Sequence, residues 1–212
     1  MLAVAHRSGN TVDGMREALD LGVDLVECDV HAYRGVLEVR HHKNLGPRHL
    51  WDKWELVRRA RFVQFELDEL MRALGDDPRL MIDLKGKDRA LAPAVAEVLA
   101  QHAPAAPFTV CTKEWSALDE FPAPVRPVLS VSNRAQLARL RRRLAAGPVY
   151  GVSVRRRLLR PDLVQDMRAR TDVVMAWPVD TAAELAEAHR LGVDAVISKD
   201  LGLLRRVLVE PR

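Results

Sequence analysis

The sequence predicts an α/β fold of the TIM (βα)8 barrel type, with a short insertion after strand two. Three observations predict it. Eight candidate strands alternate with helix-like stretches along the 212 residues. Most of those strands are continuous apolar runs, the pattern of parallel strands covered on both faces. The chain also echoes itself. EALDLGVDLVECDV (17–30) and EAHRLGVDAVISKD (187–200) share Glu-Ala, the block Leu-Gly-Val-Asp and a following Val. Each reads as the end of a helix, a glycine that stops it (Gly22, Gly192) and a buried strand. A doubly wound open sheet is the alternative, but its Gly-rich first turn is not matched by the spacing in HRSGNT (6–11).

The elements follow in order. LAVAH (2–6) is the first strand, 11–21 the first helix and LVECDVH (25–31) the second strand. Residues 35–64 then break the alternation. GVLEVRHH (35–42) reads as a short strand after a turn at Tyr33–Gly35, and the rest has no clear period. This segment is the insertion, placed at the barrel rim. Its Arg48, Trp51, Trp54 and Arg58 are expected to pack on helices, with a lid over an acyl chain or headgroup as the other role. A helix at 65–74, the strand LMIDLK (80–85), a helix at 88–102 and FTVCT (108–112) come next. The link 113–124 is only weakly helical. RPVLSV (126–131), VYGVSV (149–154), DVVMAW (172–177) and DAVIS (194–198) complete the strands, with helices at 133–146, 161–170, 181–191 and 200–208. Asn133, Asp162 and Thr181 stand where N-caps belong. No linker or low-complexity stretch interrupts the chain, so 1–212 reads as one domain.

Bulk properties narrow the function. A hydrophobic fraction of 48% suffices for a sizeable core. No apolar run reaches about 18 residues, so no stable membrane insertion is expected. The net charge is +4 and the pI 9.4. The arginine runs RRAR (58–61), RLRRR (139–143) and RRR (155–157) read as solvated faces. No aromatics interleave with them, so nucleic acid is not expected as a partner; an anionic substrate or lipid surface is compatible with the charge. Cys28 and Cys111 sit singly in apolar runs and read as free buried thiols of a reducing compartment. Met1 and Leu2 lead straight into the first strand, and a cytoplasmic location is the expectation. The oligomeric state stays open.

Within GVDLVECDVH (22–31) three polar residues, Glu27, Asp29 and His31, fall at spacing two and so share one face of an otherwise apolar strand. A TIM barrel gathers the carboxyl ends of its strands at one mouth. His6 and Arg7, Glu27 and Asp29, His41, Asp83 and Lys85, and Trp177 all belong to such ends or to the insertion. Ser198 and Lys199 end the last strand. Three carboxylates from two neighbouring strands (Glu27, Asp29, Asp83) make a hard oxygen site for one divalent cation, Mg²⁺ or Ca²⁺; zinc would prefer more nitrogen or sulfur. Arg7 and Lys85 beside it suit a phosphate, and His6 and His41 suit an acid and a base. Together these describe phosphodiester cleavage. His49, His102 and His189 are expected at the surface, and His42 in a loop.

The same residues carry a resemblance. AHR (5–7), NT (10–11), GVDLVECDV (22–30), VRHHKNL (39–45), MIDLK (81–85), AWPVD (176–180) and LGVDAVISKD (191–200) resemble, in order and spacing, the glycerophosphodiester phosphodiesterase family over almost the full chain. The resemblance implies a TIM barrel with a small insertion after its second strand. It implies hydrolysis of glycerophosphodiesters to sn-glycerol 3-phosphate and an alcohol, through a cyclic phosphate. It makes Glu27, Asp29 and Asp83 metal ligands, His6 and His41 the acid–base pair, Arg7 and Lys85 the phosphate holders and Trp177 a wall of the pocket.

Four departures from the family pattern stand out. Ser8 replaces a glycine, and the loop is cut to Asn10-Thr11. His42 stands where an Asp is usual, and Asp83 where a Glu is usual. The last shortens a ligand by about 1.5 Å, so that Asp83 reaches an ion through a water or the ion shifts. Two alternatives remain: a phospholipase D-type lipid phosphodiesterase on the same barrel, which would favour an exposed apolar rim, and a non-catalytic phosphate-ligand-binding relative.

Overall fold

Eight apolar runs become eight staves. The computed structural model describes residues 1–209. β1 (Leu2–Ala5) is followed by α1 (Val12–Leu21), β2 (Leu25–Tyr33), β3 (Val36–Val39), β4 (Lys43–Leu45), β5 (His49–Asp52) and β6 (Glu55–Arg58). Then come α2 (Leu67–Leu74), β7 (Leu80–Lys85), α3 (Leu91–His102), β8 (Thr109–Thr112), β9 (Arg126–Val131) and α4 (Arg134–Ala145). β10 (Val149–Arg155), α5 (Pro161–Arg168), β11 (Thr171–Trp177), α6 (Ala182–Leu191), β12 (Ala195–Ser198) and α7 (Leu201–Val209) finish the chain. After β8 the weak helical pattern yields only a 3-10 segment, Trp115–Glu120.

The strands β1, β2, β7, β8, β9, β10, β11 and β12 pair in parallel around a ring. The ring closes where Val4 and Ala5 of β1 meet Leu25 and Val26 of β2. With helices alternating between strands this is a TIM barrel, and β3 adds antiparallel to β2 outside the ring. Alternation sorts the side chains. Val4, Met81, Cys111, Val128, Val173 and Ile197 fill the barrel interior, while the opposite set meets the helices in a larger outer core. Both cysteines are free and buried, Cys28 in the outer core and Cys111 in the inner one.

The internal repeat has a structural reason beyond its glycines. Gly22 and Gly192 do stop α1 and α6, at φ 87° and 71°, where a side chain would be strained. The aspartates two residues on do matching work. Asp24 Oδ2 accepts a hydrogen bond from Ala3 N at 2.8 Å, and Asp194 Oδ2 accepts one from Val174 N at 2.9 Å. Each carboxylate ties the start of its own strand to the neighbouring stave. Asn133 and Thr181 cap α4 and α6 through Gln136 N and Glu184 N. Asp162 does not cap: it lies inside α5, whose N-cap is Arg160 with Pro161 at the first helical position. Proline needs no hydrogen-bond acceptor there, so the cap falls two residues earlier than the composition suggests.

The insertion is more ordered than its aperiodic sequence implies. The turn at Arg34–Gly35 has positive φ at both residues (51° and 81°), which folds β3 back on β2. β4, β5 and β6 then make a separate antiparallel sheet. Its anchor is charged. Arg40, 2% exposed, donates from Nε to Glu38 Oε2 at 2.7 Å and from Nη2 to Asn44 Oδ1 at 3.0 Å, and Arg59 closes on the other Glu38 oxygen. Trp54 is 99% exposed and Trp51 43%, which corrects the expectation that these tryptophans pack on helices.

Candidate active site

Register alone places the carboxylates. β2 and β7 are parallel neighbours with Asp29 opposite Asp83 and His31 opposite Lys85, so Glu27, Asp29, Asp83 and Lys85 all turn into the barrel at its carboxyl end. The chain then leaves β1 through Arg7, held at φ 63° in the left-handed region. That turn aims the Arg7 backbone N–H at Glu27 Oε2, 2.6 Å away, and brings its guanidinium to 3.6 Å from Asp29 Oδ2. A non-glycine residue at such a φ is held by its surroundings, and such positions cluster at functional sites. The following loop lies tight on β2: a Cβ on Gly9 would stand 2.9 Å from Cys28 Cβ. Asn10 uses this proximity to grip Asp29 twice, donating from Nδ2 to Oδ2 at 3.0 Å and accepting from Asp29 N at 2.8 Å.

Seven of the eight predicted residues (His6, Arg7, Glu27, His41, Asp83, Lys85, Trp177) line one pocket of about 580 Å³ at the barrel mouth. The eighth, Asp29, lies beneath it with no exposure. One oxygen each from Glu27, Asp29 and Asp83 lie within 4.8 Å of one another. Lys85 Nζ sits 2.7 Å from Asp29 Oδ1 and contacts Asp83 as well. His6 Nε2 stands 3.9 Å from Glu27 Oε2. His41 Nε2 contacts the Arg7 guanidinium, and His41 Nδ1 lies 2.7 Å from Asp52 Oδ2.

The electrostatics follow from burial and crowding. Burial, then the neighbouring Asp29, push the Glu27 carboxyl well above its usual range. Burial also raises Asp83, against the pull of Lys85. Asp29 is equally buried, but the Lys85 ammonium and the bond from Asn10 outweigh that cost and hold it at about 2. Burial works against the Lys85 ammonium, yet Asp83, Asp29 and Glu27 around it push its pKa up. Burial and the Arg7 charge bring His6 down to about 3. Burial lowers His41 too, with Asp29 and Asp52 opposing it. Both imidazoles are therefore neutral near pH 7 in the free site.

Other residues join the site that the sequence reading left aside. Asp52 comes from β5, in the stretch without a period, and no sequence signal pointed to it. His31, noticed for its spacing, is 7% exposed and lines the pocket, with no hydrogen-bond partner for Nε2 among the described residues. Lys113, one residue past β8, lies 5.7 Å from the centroid of the Trp177 ring. Ser130 and Ser153, paired in register, line the floor. Ser198 instead turns away to Asp180 Oδ1 at 3.1 Å. His42 sits in the loop before β4 and pairs with Glu55. His189 is exposed, while His49 and His102 are half-buried, with His102 Nε2 2.7 Å from Asp68 Oδ1.

No protein-family profile matches the sequence, and no curated protein does. Solved structures do. A phosphodiesterase from Oleispira antarctica, in complex with the product sn-glycerol-3-phosphate, is 18% identical at a TM-score of 0.76, covering 99% of this chain and 97% of that one. A glycerophosphodiester phosphodiesterase from Thermotoga maritima is 18% identical at a TM-score of 0.77, covering 98% of each chain. One from Parabacteroides distasonis is 19% identical at a TM-score of 0.76, covering 98% of this chain and 96% of that one. Over nearly its whole length, the chain has the fold of the glycerophosphodiester phosphodiesterases.

Proposed function

We propose that this chain is a metal-dependent phosphoric diester hydrolase that cleaves small glycerophosphodiesters to sn-glycerol 3-phosphate and an alcohol. One observation carries the reading: three acidic, two basic and two imidazole side chains, far apart in sequence, converge on one pocket at the barrel mouth. A fold neighbour that holds sn-glycerol-3-phosphate supports it. The free thiols and the absence, among the described residues, of a helix long and apolar enough to cross a membrane accord with the cytoplasmic location we propose. A nucleic-acid partner forms no part of this reading.

The donor set fits one hard divalent cation, Mg²⁺ or Ca²⁺. Carboxylate oxygens within 4.8 Å of one another match the span across an ion with bonds of about 2.0–2.6 Å. Glu27 and Asp83, both raised in pKa by burial, call for more positive charge than Lys85 supplies. Glu27, Asp29 and Asp83 would hold the ion, which when bound offers positive charge to phosphoryl oxygens.

The chain's own residues do the rest. Arg7 and Lys85 grip the phosphate from two sides, and Trp177 walls the glycerol. Asp52 holds His41 with its proton on Nδ1, which leaves Nε2 to accept one. His41 takes the proton of the neighbouring glycerol hydroxyl as that oxygen bonds to phosphorus. His6 takes up a proton from solvent as the anionic diester enters beside it, and gives that proton to the departing alcohol oxygen as the old ester bond breaks. A cyclic phosphate results. Water opens it with the roles exchanged: His6 accepts from water and His41 returns its proton to the ring oxygen. An internal nucleophile enjoys the advantage of intramolecularity.

The test is release of glycerol 3-phosphate from a panel of glycerophosphodiesters with Mg²⁺, with Ca²⁺ and with chelator. His6→Ala and His41→Ala should each lower the rate by about 10²–10⁴-fold. No release from any diester with either ion overturns the reading. A second reading, a phospholipase D-type enzyme acting on lipids that keep an acyl chain, is favoured by the exposed apolar side chains at the rim (Trp51, Trp54, Leu56). Faster turnover of lysophospholipids than of their deacylated counterparts would select it.

A further inference from the structure

The outer face of the insertion sheet intersperses apolar and basic side chains. Four of the six large apolar side chains that stand exposed among the described residues fall between 45 and 56: Leu45, Trp51, Trp54 and Leu56. The register explains the clustering. Lys43 pairs with Trp51 and Leu45 with His49 across β4 and β5; Trp51 pairs with Leu56 and His49 with Arg58 across β5 and β6. Paired residues share a face, so these six side chains form one surface. Lys53 and Trp54 extend it at the β5–β6 turn, with Lys53 at φ 48°.

The charges of this hairpin are sorted by face. Its carboxylates, Asp52 and Glu55, are a register pair on the other side, where they meet His41 and His42. Leu50, on that inner side, is fully buried. The outer face therefore carries Lys43, Lys53, Arg58 and His49 with no acid among them. Tryptophan and leucine flanked by lysine and arginine match the boundary between headgroups and acyl chains, where indole rings settle and basic groups meet anionic lipid. Lys43 also lines the pocket, so the face borders the mouth.

We infer that this face docks the protein on an anionic lipid bilayer, with Trp51, Trp54 and Leu56 entering the interface and Lys53 and Arg58 on the headgroups. The inference does not depend on the activity proposed above. The contact is peripheral, and its electrostatic part fades as salt shortens the screening length from about 10 Å at 0.1 M to about 3 Å at 1 M.

The experiment is co-sedimentation of the full chain with mixed phosphatidylglycerol–phosphatidylcholine vesicles and with pure phosphatidylcholine vesicles, at low and high salt. The wild type should bind the mixed vesicles and bind the neutral ones weakly. Trp51→Ala with Trp54→Ala should lower the partition at least about tenfold, and Lys53→Gln or Arg58→Gln about fivefold each. Trp54 is almost fully exposed, so its replacement leaves the fold intact, and circular dichroism checks this. Absence of wild-type binding overturns the inference. So does equal binding to neutral vesicles, or binding unchanged in the tryptophan variants. A Trp54-dependent dimer in sedimentation velocity, without vesicle binding, assigns the face to a second copy of the chain and overturns it as well.

Discussion

Asp52 Oδ2 stands 2.7 Å from Nδ1 of His41, and the two come from different parts of the insertion. A neutral imidazole carries its proton on one nitrogen only, and a carboxylate partner decides which. In the reaction proposed above, Asp52 would keep the proton on Nδ1, leave Nε2 to accept one and stabilise the imidazolium that forms. Asp52→Asn keeps the size and removes the charge. The expected outcome is a fall in kcat of about 10²-fold with KM little changed, and a pH profile whose limb due to His41 moves to lower pH. A kcat within twofold of wild type and an unmoved profile would show that Asp52 only packs.

Asp83 faces Asp29 across the β2–β7 register and completes the triad of oxygens. Removing it should weaken cation binding without unfolding the barrel, because its carboxyl is itself costly to bury. In the wild type, a divalent ion at 100 times its dissociation constant should add about 2.7 kcal/mol of stability, seen as a rise in Tm that chelator reverses. Asp83→Ala should lose most of that rise in both Mg²⁺ and Ca²⁺, while its Tm in chelator equals or exceeds that of the wild type. A full metal-induced rise in the variant would remove Asp83 from the ligand set.

Asp24 and Asp194 offer a contrast, since neither approaches the pocket. Each accepts a backbone N–H of the adjacent stave, and alanine in its place leaves that donor without its partner. A cost of about 1–3 kcal/mol for each is expected, with kcat and KM unchanged. Denaturant titration of the two single variants measures it. A large loss of activity in a folded Asp24→Ala protein would mean that the repeat serves the site as well as the barrel.

The repeat also shows what the sequence made legible. Leu-Gly-Val-Asp announces itself because a helix stop, a buried strand and a strand-to-strand tie all depend on local order. The carboxylates and Lys85 were readable for the same reason: spacing two on a strand fixes which way they point, and the barrel fixes where they meet. Asp52 was not readable. Its partnership with His41 depends on a hairpin sheet anchored by Glu38, Arg40 and Arg59, and no period in 43–58 reveals that sheet. The exposed tryptophans misled for a related reason. Composition places aromatic residues inside, whereas the register of three short strands puts Trp51 on the outer face. Asp162 went astray because Pro161 takes the first helical position and moves the cap back to Arg160.

The last prediction concerns pH and a tie beside the pocket. Glu184 Oε2 accepts from Asp180 N at 2.8 Å, and Glu184 Oε1 accepts from Arg156 Nη2 at 2.6 Å. Arg156 also reaches Glu187 and, at 3.4 Å, the Pro178 carbonyl next to Trp177, so the cluster joins the end of β10 to α6. The hydrogen bond from Asp180 N, opposed by burial and aided by the Arg156 charge, lowers the Glu184 pKa below its ordinary value of 4.5. The folded state then binds fewer protons at this carboxyl than the unfolded state does. Its contribution is fully present above pH 4.5 and is lost as the pH falls through the lower folded value. Glu184→Gln removes the titration and keeps the shape. The Tm difference between wild type and variant should be greatest near neutral pH and shrink steadily as the solution is taken well below pH 4.5. A difference that stays constant through acid would show that Glu184 acts here through shape alone and not through its charge.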